Sequence, residues 1–262
     1  FSKKHQGLLD GVSKADSIAW NPHKLLGVPL QCSLLLTKQP NVLRNSVSSA
    51  DTEYIYHHDH EEQQYDTGDD SLQCGRRADA VKLWLAWKRY GAEGFEKRVD
   101  HAVYLANRFV HYLMEDGKSR LRLLVLPYSF NVCFWYVPAS LTNESQHNGT
   151  NGYHNSDMEQ IDGCMIGTAL KARDPRQPIL DLSSQVLCTK GVGLCPHCSM
   201  LDQTTRKLYR LMQLDGLMLI NYSTLTEYNA PSFFRVAFNN PCTNDADLQF
   251  IVEKFLELGS QL

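Results

Sequence analysis

The sequence predicts a mixed fold, α/β or α+β, and three observations carry that prediction. Apolar runs with strand chemistry, such as Leu30–Thr37 and Val132–Val137, alternate with segments of helical period. Hydrophobic residues are 43% and charged residues 21% of 262, the balance of a globular chain that can bury a core. No apolar run is long enough to span a bilayer, and no basic segment followed by a hydrophobic run marks a signal peptide. A net charge of −3 gives no reason to expect nucleic acid or an anionic membrane as partner. The eight cysteines, scattered among apolar neighbours, read as reduced buried thiols, so the cytoplasm is the expected compartment.

In chain order, Gln6–Val12 reads as a short helical segment leading into Ala15–Trp20. The turn Asn21-Pro22-His23-Lys24, punctuated by proline, separates it from the strand-like run Leu30–Thr37. Lys24 thus falls on a loop between two strands, a position from which a rigid scaffold presents a side chain to a ligand. From Asn41 to Asp70 no period is visible, and the stretch reads as a long mobile loop. Val81, Leu83, Trp84, Leu85 and Trp87 make a helix apolar nearly all round, which predicts burial. A second, amphipathic helix places Phe95, Val99, Ala102, Val103, Ala106, Phe109, Val110 and Leu113 on one face.

Strands are expected at Leu121–Leu126 and Val132–Val137. Residues 142–156 have almost nothing to bury and read as a flexible insertion. Regular structure resumes near Leu201, with Leu208, Leu211 and Met212 on one helical face, followed by strands at Leu217–Tyr222 and Phe233–Phe238. The last helix starts near Asn244, with Asp245 and Asp247 at its positive end. Leu248, Ile251, Val252 and Phe255 face inward, and Gly259 reads as its terminator.

Taken from the residues alone, Lys24 is either a solvated surface charge or an amine kept nucleophilic by Trp20, Leu25, Leu26 and Val28. Periodicity does not decide between them. The local string does. Ser17–Ser33 (SIAWNPHKLLGVPLQCS) closely resembles the cofactor-lysine segment of group II pyridoxal-phosphate decarboxylases. Its Gln31-Cys32-Ser33 ending is similar to the branch acting on glutamate, cysteine sulfinate and aspartate. The resemblance continues, in order, through Tyr65–Asp69, Gln73–Arg77, Lys82-Leu83-Trp84, Trp87-Lys88, Asn131–Pro138 and Phe233-Phe234-Arg235.

This resemblance implies pyridoxal 5'-phosphate as cofactor and the fold-type-I, aspartate-aminotransferase-like architecture. Residues 1–90 would be the end of the large cofactor domain. Residues 91–262 would form the small C-terminal domain, with a flexible insertion at about 142–200. By the same resemblance Lys24 anchors the cofactor and His23 helps hold its phosphate, the alternative for His23 being a ring that packs or caps the turn. Arg235 matches the arginine that receives the substrate α-carboxylate, or else serves a structural ion pair. Tyr54 stands where the family has the tyrosine that returns a proton to the substrate carbon, or else is an exposed loop aromatic.

The family also implies an acidic amino-acid substrate and a homodimer in which the Tyr54 loop reaches the partner's site. The aspartate facing the ring nitrogen, the stacking histidine and the upstream phosphate cradle precede the family's lysine. Residues 1–262 alone are therefore expected to be inactive, as part of a longer decarboxylase. The alternative is a catalytically silent, truncated homologue that keeps only a dimerisation surface. The run His57–Glu62 and the Cys188, Cys195-Pro196-His197-Cys198 group are weak metal signals, and no metal is expected.

Overall fold

In a computed structural model the described residues are 1–47, 75, 77–115, 120–141, 194–225 and 229–262. Tyr54, the His57–Glu62 run and the 142–156 stretch lie outside them. The chain divides into two compact units, Phe1–Asp100 and His101–Leu262.

In the first unit, the segment Gln6–Val12 is not a continuous helix but a 3-10 turn at Gln6–Leu9, with a second at Val12–Lys14. Strands β1 (Ser17–Trp20) and β2 (Leu34–Thr37) pair antiparallel, Ser17 opposite Thr37 and Trp20 opposite Leu34. The second strand is shorter than its apolar run, because Leu30–Ser33 turns back toward His23 instead of extending. A short helix α1 (Val42–Val47) follows, within a stretch that shows no period in the sequence.

Helix α2 (Asp79–Glu115) is interrupted at Gly91, whose φ of 63° and ψ of −178° break the helical path. Its first part is not buried all round as the composition predicts: Val81, Trp84, Leu85 and Trp87 are 50, 58, 55 and 41% exposed. A helix apolar on every side needs cover on every side, and this unit supplies one. Leu83 and Ala86 pack on the small core of Leu26, Val28, Cys32 and Phe95, joined by Trp20, Leu34 and Val99. Phe95 lies in this core and Val99 packs against it, both within the first compact unit.

The second unit is built on a four-stranded antiparallel sheet of order β3-β4-β6-β5: β3 Leu121–Val125, β4 Asn131–Tyr136, β5 Tyr222–Leu225 and β6 Ala230–Ala237. Strand alternation gives it two apolar faces. Val132, Phe134, Tyr136, Phe234 and Val236 join Phe109, Leu208, Met212, Val252 and Phe255 in the larger core. Trp135, Val137 and Phe233, from the alternate positions, pack with Cys195, Cys198 and Leu201. Helix α3 (Pro196–Asp215) thus begins earlier than the sequence suggests, with Cys195 as its N-cap: the Cys195 sulfur accepts the Cys198 N–H at 3.5 Å. The strand expected at Leu217–Tyr222 starts only at Tyr222, and Leu217 and Leu219 are exposed.

Helix α4 (Asp245–Gly259) opens with a capping box: Asn244 Oδ1 accepts the Ala246 N–H and the Asp247 carboxylate accepts the Asn244 N–H, both at 2.9 Å. Such a cap stabilises by about 1 kcal/mol. Gly259 does not terminate this helix; it is its last residue, and the cap is Ser260 in right-handed geometry. Glycine is required there for a different reason: a Cβ would lie 2.2 Å from the Tyr136 ring. Gly259→Ala is accordingly expected to displace buried Tyr136 and lower the stability of the protein by about 1–3 kcal/mol, the usual cost of overpacking. A urea denaturation midpoint equal to that of the wild type would disprove this packing account.

Candidate active site

The β1–β2 connection, residues 21–33, carries Lys24. It is closed on itself at several levels. Ser33 Oγ donates to Asn21 Oδ1 at 2.7 Å, tying its two ends. Within it, the Lys24 N–H donates to Asn21 O and the Gly27 N–H to Lys24 O, each at 3.0 Å, while the Val28 N–H reaches Pro22 O at 3.2 Å. Leu26 and Val28 anchor it in the core, so the backbone of Lys24 is held while its side chain is exposed. Among the described residues the Lys24 amine takes part in no hydrogen bond or ion pair.

His23, half-buried, turns its ring into the loop: Nδ1 lies 2.5 Å from the Cys32 carbonyl oxygen. That separation assigns the proton to Nδ1, which donates to Cys32 O and leaves Nε2 without a hydrogen-bond partner among the described residues. The 3.3 Å approach of the Cys32 N–H to Nδ1 would be a bond only in the other tautomer. The Cys32 thiol is pushed up by burial and by the Asp79 charge, with Lys82 opposing, and so stays neutral. It is a packing residue and not a nucleophile.

Two cations of α2 hold this loop, and neither role is visible in the sequence. Lys82 Nζ donates to Leu30 O and Gln31 O at 3.0 Å and to Asp79 Oδ1 at 2.7 Å. Arg98 Nη1 donates to Leu26 O at 2.7 Å. Lys82 sits in a motif block, yet its partners in the loop are backbone carbonyls, which leave no residue-type signature. Arg98 carries no motif at all. A cleft of about 310 Å³ lies beside the outgoing limb of the loop, lined by Cys32, Ser33, Asp79, Leu83, Trp84 and Trp87 among others. Lys24 and His23 do not line it.

Arg235 lies in the second unit, on β6, with Cys133 opposite on β4. Strand alternation sends it outward between buried Phe234 and Val236, and its N–H donates to Asn221 O at 3.0 Å. Its guanidinium has no hydrogen-bond partner among the described residues. Cys133 beside it is pushed up by burial, with the Arg235 charge opposing. The structure therefore brings Lys24 and His23 together on one loop and places Arg235 on a strand of the other unit. Tyr54 is outside the described residues. No cluster of three or more His, Cys, Asp or Glu suited to a metal occurs among the described residues, and no helix among them is long and apolar enough to cross a membrane.

Comparison with known proteins matches residues 1–137 to the pyridoxal-dependent decarboxylase conserved domain. Human cysteine sulfinic acid decarboxylase is 33% identical over 265 residues, spanning 100% of this chain and 43% of that protein. The acidic amino acid decarboxylase GADL1 of Bos taurus is 46% identical over 144 residues, 54% of this chain and 27% of that protein. The crystal structure of mouse CSAD in apo form superposes with a TM-score of 0.71 at 31% identity, over 100% of this chain and 43% of that one. Oryza sativa TDC with PLP and tryptamine, 18% identical with a TM-score of 0.66, shares the fold. The chain spans less than half the length of these relatives. It belongs to the pyridoxal-dependent decarboxylase family, whose fold is of type I and whose cofactor is pyridoxal phosphate.

The residues of the loop fit that group. An amine unbonded among the described residues, on a fixed backbone, suits covalent attachment to an aldehyde. Nε2 of His23 suits a phosphate oxygen when it carries a proton, with Nδ1–H remaining on Cys32 O. The loop's dependence on α2 is directly testable. Lys82→Met is expected to cost about 1.5 kcal/mol of stability, the low end for a charged hydrogen bond because Leu30 and Gln31 are exposed. It should also speed amide exchange in 23–33 relative to β1. Unaltered exchange there would show that Lys82 does not hold the loop.

Proposed function

We propose that this member of the pyridoxal-dependent decarboxylase family serves, as part of an enzyme, to remove the α-carboxylate of an acidic amino acid: glutamate, cysteine sulfinate or aspartate. The observation that carries the reading is the Lys24 amine, unbonded among the described residues and exposed on a loop whose backbone is fixed, within the matched decarboxylase domain. When bound, pyridoxal phosphate supplies an electron sink that stabilises the carbon left after carbon dioxide departs. Lys24 would hold the group covalently through its amine. His23 holds a phosphate oxygen through Nε2. Arg235 receives the α-carboxylate, for which a planar guanidinium offers two parallel N–H donors. Tyr54 returns a proton to the substrate carbon.

The choice of an acidic substrate is supported by the names of the relatives, one acting on cysteine sulfinic acid and one on acidic amino acids. We further propose a cytoplasmic homodimer. The exposed apolar side chains of Val81, Trp84, Leu85 and Trp87 on one helix support an assembly, since clustered exposed apolar groups are usually covered by a partner surface.

Two substitutions test the assignment. With Lys24→Ala, borohydride reduction in the presence of pyridoxal 5'-phosphate should leave no adduct on the loop peptide, and the visible absorbance of bound cofactor should vanish. An undiminished band would exclude Lys24 as the anchor. Arg235→Ala should raise the KM for the amino acid by about 10- to 100-fold, the worth of a charged hydrogen-bond pair, while cofactor affinity stays within two-fold. Equal loss of both would mark Arg235 as structural.

A further inference from the structure

We infer that Arg98 is a positioning residue for Lys24, acting through the Leu26–Gly27 peptide; the inference rests on the reading of Lys24 as the cofactor lysine. The Gly27 N–H that donates to Lys24 O and the Leu26 carbonyl that accepts from Arg98 Nη1 belong to one planar peptide unit. A shift of the guanidinium is thus passed rigidly to the carbonyl of Lys24. The bond at Leu26 O is charge-assisted, and it polarises the peptide so that its N–H becomes a better donor toward Lys24.

The guanidinium is itself held. Its carbon lies 4.0 Å from the Tyr90 ring centroid, so one end is stacked on an aromatic face while the other points at a carbonyl. Gly27 makes the approach possible in two ways. Its φ of +64° lies in the left-handed region that closes the turn, and a Cβ there would sit 2.6 Å from Arg98 Nη1.

Why such a device matters follows from the anchor. The Lys24 side chain is long, exposed and unbonded among the described residues, so only its backbone fixes where the amine can reach. Misplacement of a reacting group by about 1 Å costs on the order of 100-fold in rate. Leu26 and Val28 hold the loop in the core by packing, which is not directional. The Arg98 bond adds the orientation that packing lacks.

The test compares Arg98→Met, Arg98→Lys and Tyr90→Leu in the purified protein. Three quantities are followed: the rate of covalent attachment of added pyridoxal 5'-phosphate to Lys24, amide exchange at Gly27, and Tm. Arg98→Met should slow attachment by about 10- to 100-fold and speed Gly27 exchange by about 10-fold, as expected for loss of a charged hydrogen bond. Arg98→Lys, which keeps one donor, should recover part of the rate. Tyr90→Leu should slow attachment by about three-fold, the worth of an exposed cation–π contact. Rates and exchange within two-fold of wild type in Arg98→Met would overturn the inference. So would a loss that tracks Tm alone with no recovery by lysine. If Arg98→Met does not fold, Tyr90→Leu decides, and an unchanged rate there is again fatal. Absence of any Lys24 adduct in the wild type, in the full-length enzyme that includes the upstream half of its relatives, with fast Gly27 exchange still seen in Arg98→Met, would sink the cofactor reading and leave the clamp standing.

Discussion

A loop that presents an amine must be stiff along its backbone and unbonded at the tip of its side chain; the hydrogen-bonded closure of residues 21–33 meets the first demand, and among the described residues the Lys24 amine meets the second. The closure has three sources. Ser33 and Asn21 tie the ends, the Asn21–Val28 turns order the first half, and His23 Nδ1 on Cys32 O draws the two halves together. Each is a local bond of modest net worth, and a loop held by such bonds alone would open often. Burial of Leu26, Val28 and Cys32 makes the closed form persist, and the cations Lys82 and Arg98 bond backbone carbonyls that would otherwise compete for the loop's own donors.

The second unit solves a different problem: keeping one strand fixed so that an outward residue is fixed with it. Strand β6 is flanked on both sides, by β4 and β5, and its inward side chains contribute to two cores. Its entry is tied down by a buried polar group. The Ser232 carbonyl accepts from both Trp135 Nε1 and Thr205 Oγ1 at 2.9 Å, and Asp202 accepts the Ser232 N–H and hydroxyl. Burial pushes the Asp202 carboxyl up, but the hydrogen bonds of Arg206 and Ser232 outweigh it and hold the group below the usual carboxylate range. Arg235 follows three residues later with its backbone bonded to Asn221. Its outward direction is therefore a consequence of the register of the sheet.

Much of this was legible in advance. The apolar strand-like runs Val132–Val137 and Phe233–Phe238 and the helical period of Phe95–Leu113 arise from the requirement that apolar groups leave water, so residue type reports burial directly. Asp245 and Asp247 announce their helix start because carboxylates favour its positive end, while the capping box of Asn244 and Asp247 came only with the structure. The same logic misled for Val81–Trp87, where apolar character implied cover that this unit provides on one side only. It misled also for Gly259, whose glycine is explained by a ring from another strand and not by a turn.

The sequence by itself determined the family, the position of Lys24 between two strands and the identity of His23 and Arg235 as candidates, since these depend on residue types at fixed spacings along the chain. It could not determine the tautomer of His23, the N-cap of Cys195, or the roles of Lys82 and Arg98. Each of those is a bond between groups far apart in sequence, or to backbone atoms that every residue shares. Such bonds exist only once the fold has set distances and directions, and the tertiary structure alone decided them.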